Sequence, residues 1–378
     1  MKDLVVSPVG ELLDEIRQGR MVLILDERDG QANEGVVMVA AEHCEAQHIT
    51  FMARRARGLV CLALPRERCE QLKLPPMASA DNEDGARFTL SIEAAQGIST
   101  GISAADRAHT VRVAVSPRAR PEDIVQPGHI FPLAAEPGGV LTRAGHTESG
   151  VDLTRIAGLT PAAVIADVLD EHGDLADGAA LASFAREHDL RIGTVADLIH
   201  YRMAHERTIE RIREGELATQ HGVFRTVVYR DHTHGGLHLA LLRGDINGGT
   251  TLVRVHVMTT LRDVLGSEQP GGSGWSAERA LEQIDAQGAG VLVLLARRES
   301  DEQLLHSIDI GLGRLPAPDT TAGDSYNTVG LGSQILRDLG VSKIRLMGAP
   351  IKYNAISGFG LEVVDFLEPA LEPGGDSA

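Results

Sequence analysis

A chain of 378 residues is longer than one hydrophobic core usually spans, and its 43% apolar content is that of packed domains and not of a disordered segment, so two domains are expected. Its 53 acidic against 36 basic residues give a formal charge of −17, a field that repels phosphate backbones and argues against nucleic acid as a partner. The acidic start and the lack of any run near the ~20 apolar residues of a membrane span argue against a membrane segment, and the expected location is the cytoplasm. Cys44, Cys61 and Cys69 suit neither a disulfide framework nor a CxxC metal site and read as reduced thiols.

In chain order, Ser7-Pro8 supplies a cap and a first-turn proline, and Leu12, Leu13 and Ile16 recur at helical spacing until Gly19, which predicts a short first helix. Residues 21–25 are an uninterrupted apolar run, read as a strand buried on both faces, with the acidic stretch 26–33 as the loop that leaves it. A helix is predicted over 48–57, strands over 58–63 and 88–92, and a further strand and helix within 161–169 and 179–190. Residues 1–205 thus read as one mixed α/β domain. The charge-rich segment 196–216 reads as a long helix that carries the domain connection, with a linker helix region over 206–221, because Arg207, Glu210, Arg211 and Glu214 sit at ion-pair spacings. Residues 222–370 read as a second α/β domain. It has strands over 224–229, 237–242, 252–257, 291–295 and 344–347, a helix over 277–286, and a Gly330-Leu331-Gly332 turn opening another helix. Residues 371–378 are a tail. The expected fold class is α/β (α+β), two domains, each a mixed sheet with packed helices.

Residues suited to chemistry gather in the first domain. A histidine beside glycine, as in Pro127-Gly128-His129, leaves room for a ligand or metal to approach. In Arg143-Ala144-Gly145-His146-Thr147 the flanking cation and hydroxyl suit a sugar phosphate. On composition alone, histidines in glycine turns are more often structural.

With Asn33-Glu34-Gly35, residues 88–95 (FTLSIEAA) and 100–107 (TGISAADR), these stretches resemble, in order, a 3,4-dihydroxy-2-butanone 4-phosphate synthase. The resemblance is to the riboflavin-pathway family that fuses this enzyme to a GTP cyclohydrolase II-like domain. It implies a homodimer converting ribulose 5-phosphate into a four-carbon phosphate and formate with Mg2+ or Mn2+. It also implies His146 as the imidazole metal ligand, Arg143, Ala144, Gly145 and Thr147 as substrate contacts, and His129 as a second essential histidine. Asp167 falls where the family has a catalytic glutamate, one methylene longer. A cation held by carboxylate and imidazole would gather the sugar's vicinal oxygens while acidic groups move protons.

The acidic loop departs from that pattern. Where the family carries RENEGD, this chain reads Gln31-Ala32-Asn33-Glu34-Gly35-Val36, so the arginine, the metal glutamate (here Ala32) and the aspartate are gone. Glu34, Asp29 and Asp26 are the carboxylates left to substitute. A missing carboxylate weakens the hold on a hard dication and a missing arginine the hold on phosphate. The expectation is a synthase with its cation weakened or absent and its activity impaired or lost. The alternative is a catalytically silent paralogue that binds a sugar phosphate or nucleotide, or regulates.

The second half resembles GTP cyclohydrolase II through 252–256 (LVRVH), 332–340 and 358–364, but the three zinc cysteines read Thr259, Pro270 and Gly272. The catalytic aspartate and arginine positions hold Ser325 and Asn327, and Ser300 and Asp301 break the segment begun by Arg297 and Glu299. No zinc and no cyclohydrolase activity are expected. Arg254, Lys352 and the Gly332 turn remain candidates for a phosphate, against a structural or dimerisation role.

Overall fold

The computed structural model describes residues 5–26, 34–77, 87–233, 235–246, 249–267, 274–296, 299–315, 325–348 (side chains from 330) and 361–369. The chain divides into two units, Met1–Tyr201 and Arg202–Ala378.

The first unit is a seven-stranded mixed sheet in the order β4-β5-β3-β6-β2-β1-β7. Helix α1 (Val9–Arg17) buries Val9, Leu12, Leu13 and Ile16, the face its spacing predicts. β1 (Val22–Asp26) is buried at every position, as its apolar run requires. β2 (Glu34–Ala40) and β6 (Ala163–Asp167) pair antiparallel, β2 lying between β1 and β6. β3 (Cys61–Pro65) joins β6 antiparallel and β5 (Ile124–Ala135) parallel, while β4 (Ile92–Ala94) and β7 (Arg191–Thr194) form the edges.

Alternation along the strands sends Leu23, Leu25, Val37, Val39, Leu62 and Val164 to one face. They pack there with α2 (Ala46–Phe51), α3 (Arg66–Gln71), α4 (Ala104–Val115) and α6 (Gly178–Glu187) through Ile49, Cys69, Val111 and Leu181. The other face carries α1 and α5 (His146–Ile156). Gly150 is there because α5 lies close: a Cβ on it would meet the Ala163 methyl at 2.9 Å. Each fully buried Leu or Ile contributes roughly 1.5–3 kcal/mol. The three cysteines are free and buried in this unit, and burial pushes each thiol up to about 12.

The strand expected over 88–92 is a crossing instead. Thr89 donates to the Pro132 carbonyl and Leu90 to that of Pro75, so the segment splits its bonds between two partners before β4 begins.

The second unit is another seven-stranded mixed sheet, in the order β14-β13-β11-β12-β10-β9-β8. Its strands are β8 (Ile209–Thr219), β9 (Gly222–Asp231), β10 (Leu237–Arg243), β11 (Thr250–Val257), β12 (Gly290–Leu295), β13 (Lys343–Met347) and β14 (Glu362–Leu367). The helices following α7 (Val195–His205) are α8 (Ala277–Gln287), α9 (Asp301–Gly311) and α10 (Ser325–Asp338). Phe224, Leu252, Trp275, Ile284, Leu292 and Met347 form one core cluster. No described helix is long and apolar enough to cross a membrane.

The linker helix expected over 206–221 is overturned: α7 stops at His205 and the charged segment is edge strand β8. Arg211 still reaches Glu214 at 3.3 Å, but these charges also bind across elements, Arg207 and Arg211 to Asp338 of α10 and Glu214 to Arg225 of β9. Pairing along β9 supplies the backbone partners, and charge along an outer edge deters a further strand from adding. The glycine turn at 330–332 is corrected too. Both glycines lie inside α10, where a Cβ on Gly332 would meet Val255 Cγ1 of β11 at 2.7 Å.

Candidate active site

Strand register gathers the acidic candidates at one end of the first sheet. Asp26 of β1 faces Glu34 of β2, and Val36, two residues on, faces Asp167 of β6. Paired residues share a face, and Ala163 and Ile165 lie under Gly150 of α5, so the period of two places Asp167, Val36, Glu34 and Asp26 on that same face.

Helix α5 brings its N-terminus to this end. Its last turn lies at the opposite end, where Arg17 reaches the Ala157 carbonyl at 3.2 Å and Glu42, beyond β2, accepts the Thr160 N–H at 2.7 Å. Gly145, His146 and Thr147 therefore open α5 above the carboxylates, with first-turn N–H groups that suit an anion. His129 reaches the same end from β5: it stands two residues before Phe131, which pairs with Cys61, which pairs with Ile165.

Electrostatics differ among these groups. Burial pushes the Asp167 carboxyl up, and the charge of Glu34 adds to it. His129 Nδ1 lies 3.0 Å from Oε1 of Glu93, a β4 side chain. Glu93 is also pressed by Gly101, where any Cβ would overlap its carboxylate; Asp106 fixes this loop by accepting from Ser99 Oγ at 2.7 Å and Gly101 N–H at 3.0 Å. Arg143 is half-buried, 3.8 Å from Glu148. Glu148 is fully buried; burial raises its pKa, although the Glu136 N–H at 3.0 Å and the Arg143 charge counter that. Ala144 is exposed, whereas Thr147 is only 8% exposed and presents little to solvent.

Sequence reasoning assigned no role to Glu93, Asp106 or Glu148. Each lies within a motif, and the available signal was a carboxylate in an otherwise small or apolar run.

Position 32 offers a methyl group in place of a carboxylate. Among the described residues, the one trio of His, Cys, Asp and Glu side chains close enough to share an ion is in the second unit and excludes His146. Asp29, Gln31, Ala32 and Asn33 lie outside the described residues. An open cleft of about 1030 Å³, lined by Arg20, Glu42, His43, His48, Arg112 and His188 among others, lies where β1 begins and β2 ends, and its lining includes none of His129, Arg143, His146 and Asp167.

In the second unit, Thr259 gives its backbone N–H to Asp263 at 2.8 Å, and Asp263 Oδ1 lies 2.7 Å from Nε2 of fully buried His256. Burial, with Arg262 and Arg254, lowers His256 to about 4. Its neutral imidazole thus donates from Nε2 to Asp263. Arg254 donates to the Met347 carbonyl at 2.7 Å, a tie between strands. Gly332 serves packing, as above. Pro270, Gly272, Arg297 and Lys352, and the side chains of Ser325 and Asn327, lie outside the described residues.

The sequence model of 3,4-dihydroxy-2-butanone 4-phosphate synthase matches residues 10–201, and that of GTP cyclohydrolase II matches residues 210–368. A Pseudomonas aeruginosa protein called 3,4-dihydroxy-2-butanone 4-phosphate synthase is 50% identical, over 96% of this chain and 99% of its own. The crystal structure of RibBX, a two-domain 3,4-dihydroxy-2-butanone 4-phosphate synthase from A. baumannii, superposes with a TM-score of 0.81 at 43% identity, covering 96% of this chain and 100% of that one. A 3,4-dihydroxy-2-butanone 4-phosphate synthase solved with two magnesium ions matches 53% of this chain and 98% of its own, at 34% identity and a TM-score of 0.51.

Proposed function

Because the chain belongs to the 3,4-dihydroxy-2-butanone 4-phosphate synthase family, in its two-domain form with a GTP cyclohydrolase II-like second half, we propose that it keeps the synthase scaffold with its turnover impaired or lost. In this reading its ligand is ribulose 5-phosphate or another small phosphate, bound by a cytoplasmic homodimer. Arg143, Ala144, Gly145 and Thr147 hold the phosphate with the start of α5, His129 and Asp167 handle protons, and His146 faces a cation site that is weakened or absent.

The observation that carries the reading is Val36. It is 2% exposed and locked opposite Asp167, with Gly35 beside it fitted under Leu181. A one-residue slip would turn every β2 side chain to the other face, and bringing Glu34 opposite Asp167 would take a two-residue slip against both β1 and β6. Glu34 is the nearest acid that substitutes for the one missing at Ala32, and it starts from the exposed end of the strand.

The test is formate release from ribulose 5-phosphate with Mg2+ or Mn2+, in the parent chain, in His146→Ala, and in the triple variant Gln31→Arg/Ala32→Glu/Val36→Asp. The reading expects little or no formate until the three residues are restored. Parent turnover at the level of the restored chain, abolished by His146→Ala, would sink it.

For the second half we propose no zinc at the cyclohydrolase positions and no cyclohydrolase activity, since threonine, proline and glycine supply no thiolate there. It acts as a structural or dimerising body. A silent paralogue that binds without turning over is the second reading, favoured by the Arg143 and helix-terminus arrangement. Calorimetric binding of ribulose 5-phosphate with no formate under any condition would select it.

A further inference from the structure

We propose that the second unit binds a divalent transition-metal ion of the zinc class between the tip of the β8–β9 hairpin and helix α8, on His221, Glu278 and Glu282. The three come from two separate places in the chain and converge. His221 stands in the two-residue turn between β8 and β9, its side chain 16% exposed. Glu278 and Glu282 lie one helical turn apart on one face of α8. His221 Nε2 is 3.7 Å from Glu278 Oε1, and Nδ1 is 3.8 Å from Glu282 Oε1.

One ligand atom from each residue fits within 4.8 Å of the other two. A tetrahedral zinc with bonds of about 2.0–2.2 Å holds its ligand atoms roughly 3.5 Å apart. Closing the trio takes about an ångström of movement, and the two glutamate side chains, 66% and 57% exposed, are free to make it. Imidazole with two carboxylates is a donor set for zinc or cobalt, whereas magnesium prefers an all-oxygen octahedron.

Nearby charge does not oppose a cation. Arg243, beside the turn, is bound to Asp285 at 2.6 Å, and its guanidinium lies over the Phe224 ring. Two carboxylates at this spacing repel each other, and a dication removes that repulsion. None of the three positions is one that the GTP cyclohydrolase II resemblance assigns to zinc. Bound there, the ion staples an edge hairpin, paired on one side only, to the helix that covers the sheet.

The experiment uses the full chain stripped with a chelator, in a His146→Ala background so that the first unit's imidazole does not contribute. Cobalt(II) is titrated and followed by its visible absorption, zinc(II) is titrated by calorimetry, and melting is recorded with and without zinc. The expected result is one ion per chain and a higher melting temperature of the second unit with zinc. Both effects should disappear on adding His221→Ala and weaken on adding Glu282→Gln, while melting in chelator stays unchanged by either. Absence of stoichiometric binding, or binding that both substitutions leave intact, overturns the proposal and leaves the trio as a surface charge cluster.

Discussion

Replacing Val36 alone by aspartate, without the other two loop changes, is expected to destabilise the first unit. The site is 2% exposed, and its register partner Asp167 already has its carboxyl raised by burial and by Glu34. Removing the valine forfeits about 1.5–3 kcal/mol of side-chain burial. Placing a carboxyl among carboxylates adds a desolvation and repulsion cost, bringing the total to on the order of 3–5 kcal/mol, against a typical domain stability of about 5–15. Urea unfolding at pH 7 measures it. The sign with pH follows from linkage: a carboxyl whose folded pKa is raised binds more protons folded than unfolded, so stability falls as pH rises above the unfolded value near 4. The penalty in Val36→Asp should therefore shrink on acidification toward pH 4. Adding Gln31→Arg and Ala32→Glu should recover part of the loss, because the guanidinium offers the new carboxylate a partner. A single variant as stable as its parent at pH 7, or a triple variant no better than the single, refutes the view that the family's three loop residues work as one coupled group.

Gly332→Ala should cost about 1–3 kcal/mol by overpacking α10 on β11, and Val255→Ala should relieve much of it; equal losses in both backgrounds, read from thermal melts, would rule out the packing explanation. For His256, held down to about 4, the unfolded imidazole takes its proton near 6.5 while the folded one does not. The second unit should then lose stability as pH falls from about 6.5 to about 4, by up to roughly 3 kcal/mol. His256→Gln should flatten that slope in urea titrations at a series of pH values, and an unchanged slope assigns it elsewhere.

Much of the first unit is readable from sequence where one force dominates. The apolar run at 21–25 reads as a buried strand and is one over 22–26, and α1 shows its apolar stripe plainly. Helix α5 is harder, because Thr147, Glu148, Ser149, Asp152 and Thr154 are all buried and make it look like a polar loop. Three of those side chains are satisfied within the unit: Ser149 donates to the Gly145 carbonyl, Thr154 to that of Gly150, and Asp152 accepts the Val140 N–H. Segment 209–219 failed for the opposite reason, since spacings of three and four residues in a charged run fit a helix and an edge strand alike. At the site, motifs marked His129, Arg143, His146 and Asp167. Only the strand register revealed that they share one end of the sheet, and Glu93, which braces His129, had no sequence pattern to set it apart.

The buried thiols make the two units distinguishable in solution. All three cysteines belong to the first unit, and with pKa values near 12 they are neither accessible nor ionised in the folded chain. A thiol-specific reagent reacts with thiolate, so it marks only molecules in which that unit has opened. The second unit has no cysteine and can melt without registering. The rate of alkylation is thus an internal clock for one half of the molecule, against which the stability of the other half can be timed by any probe that sees both.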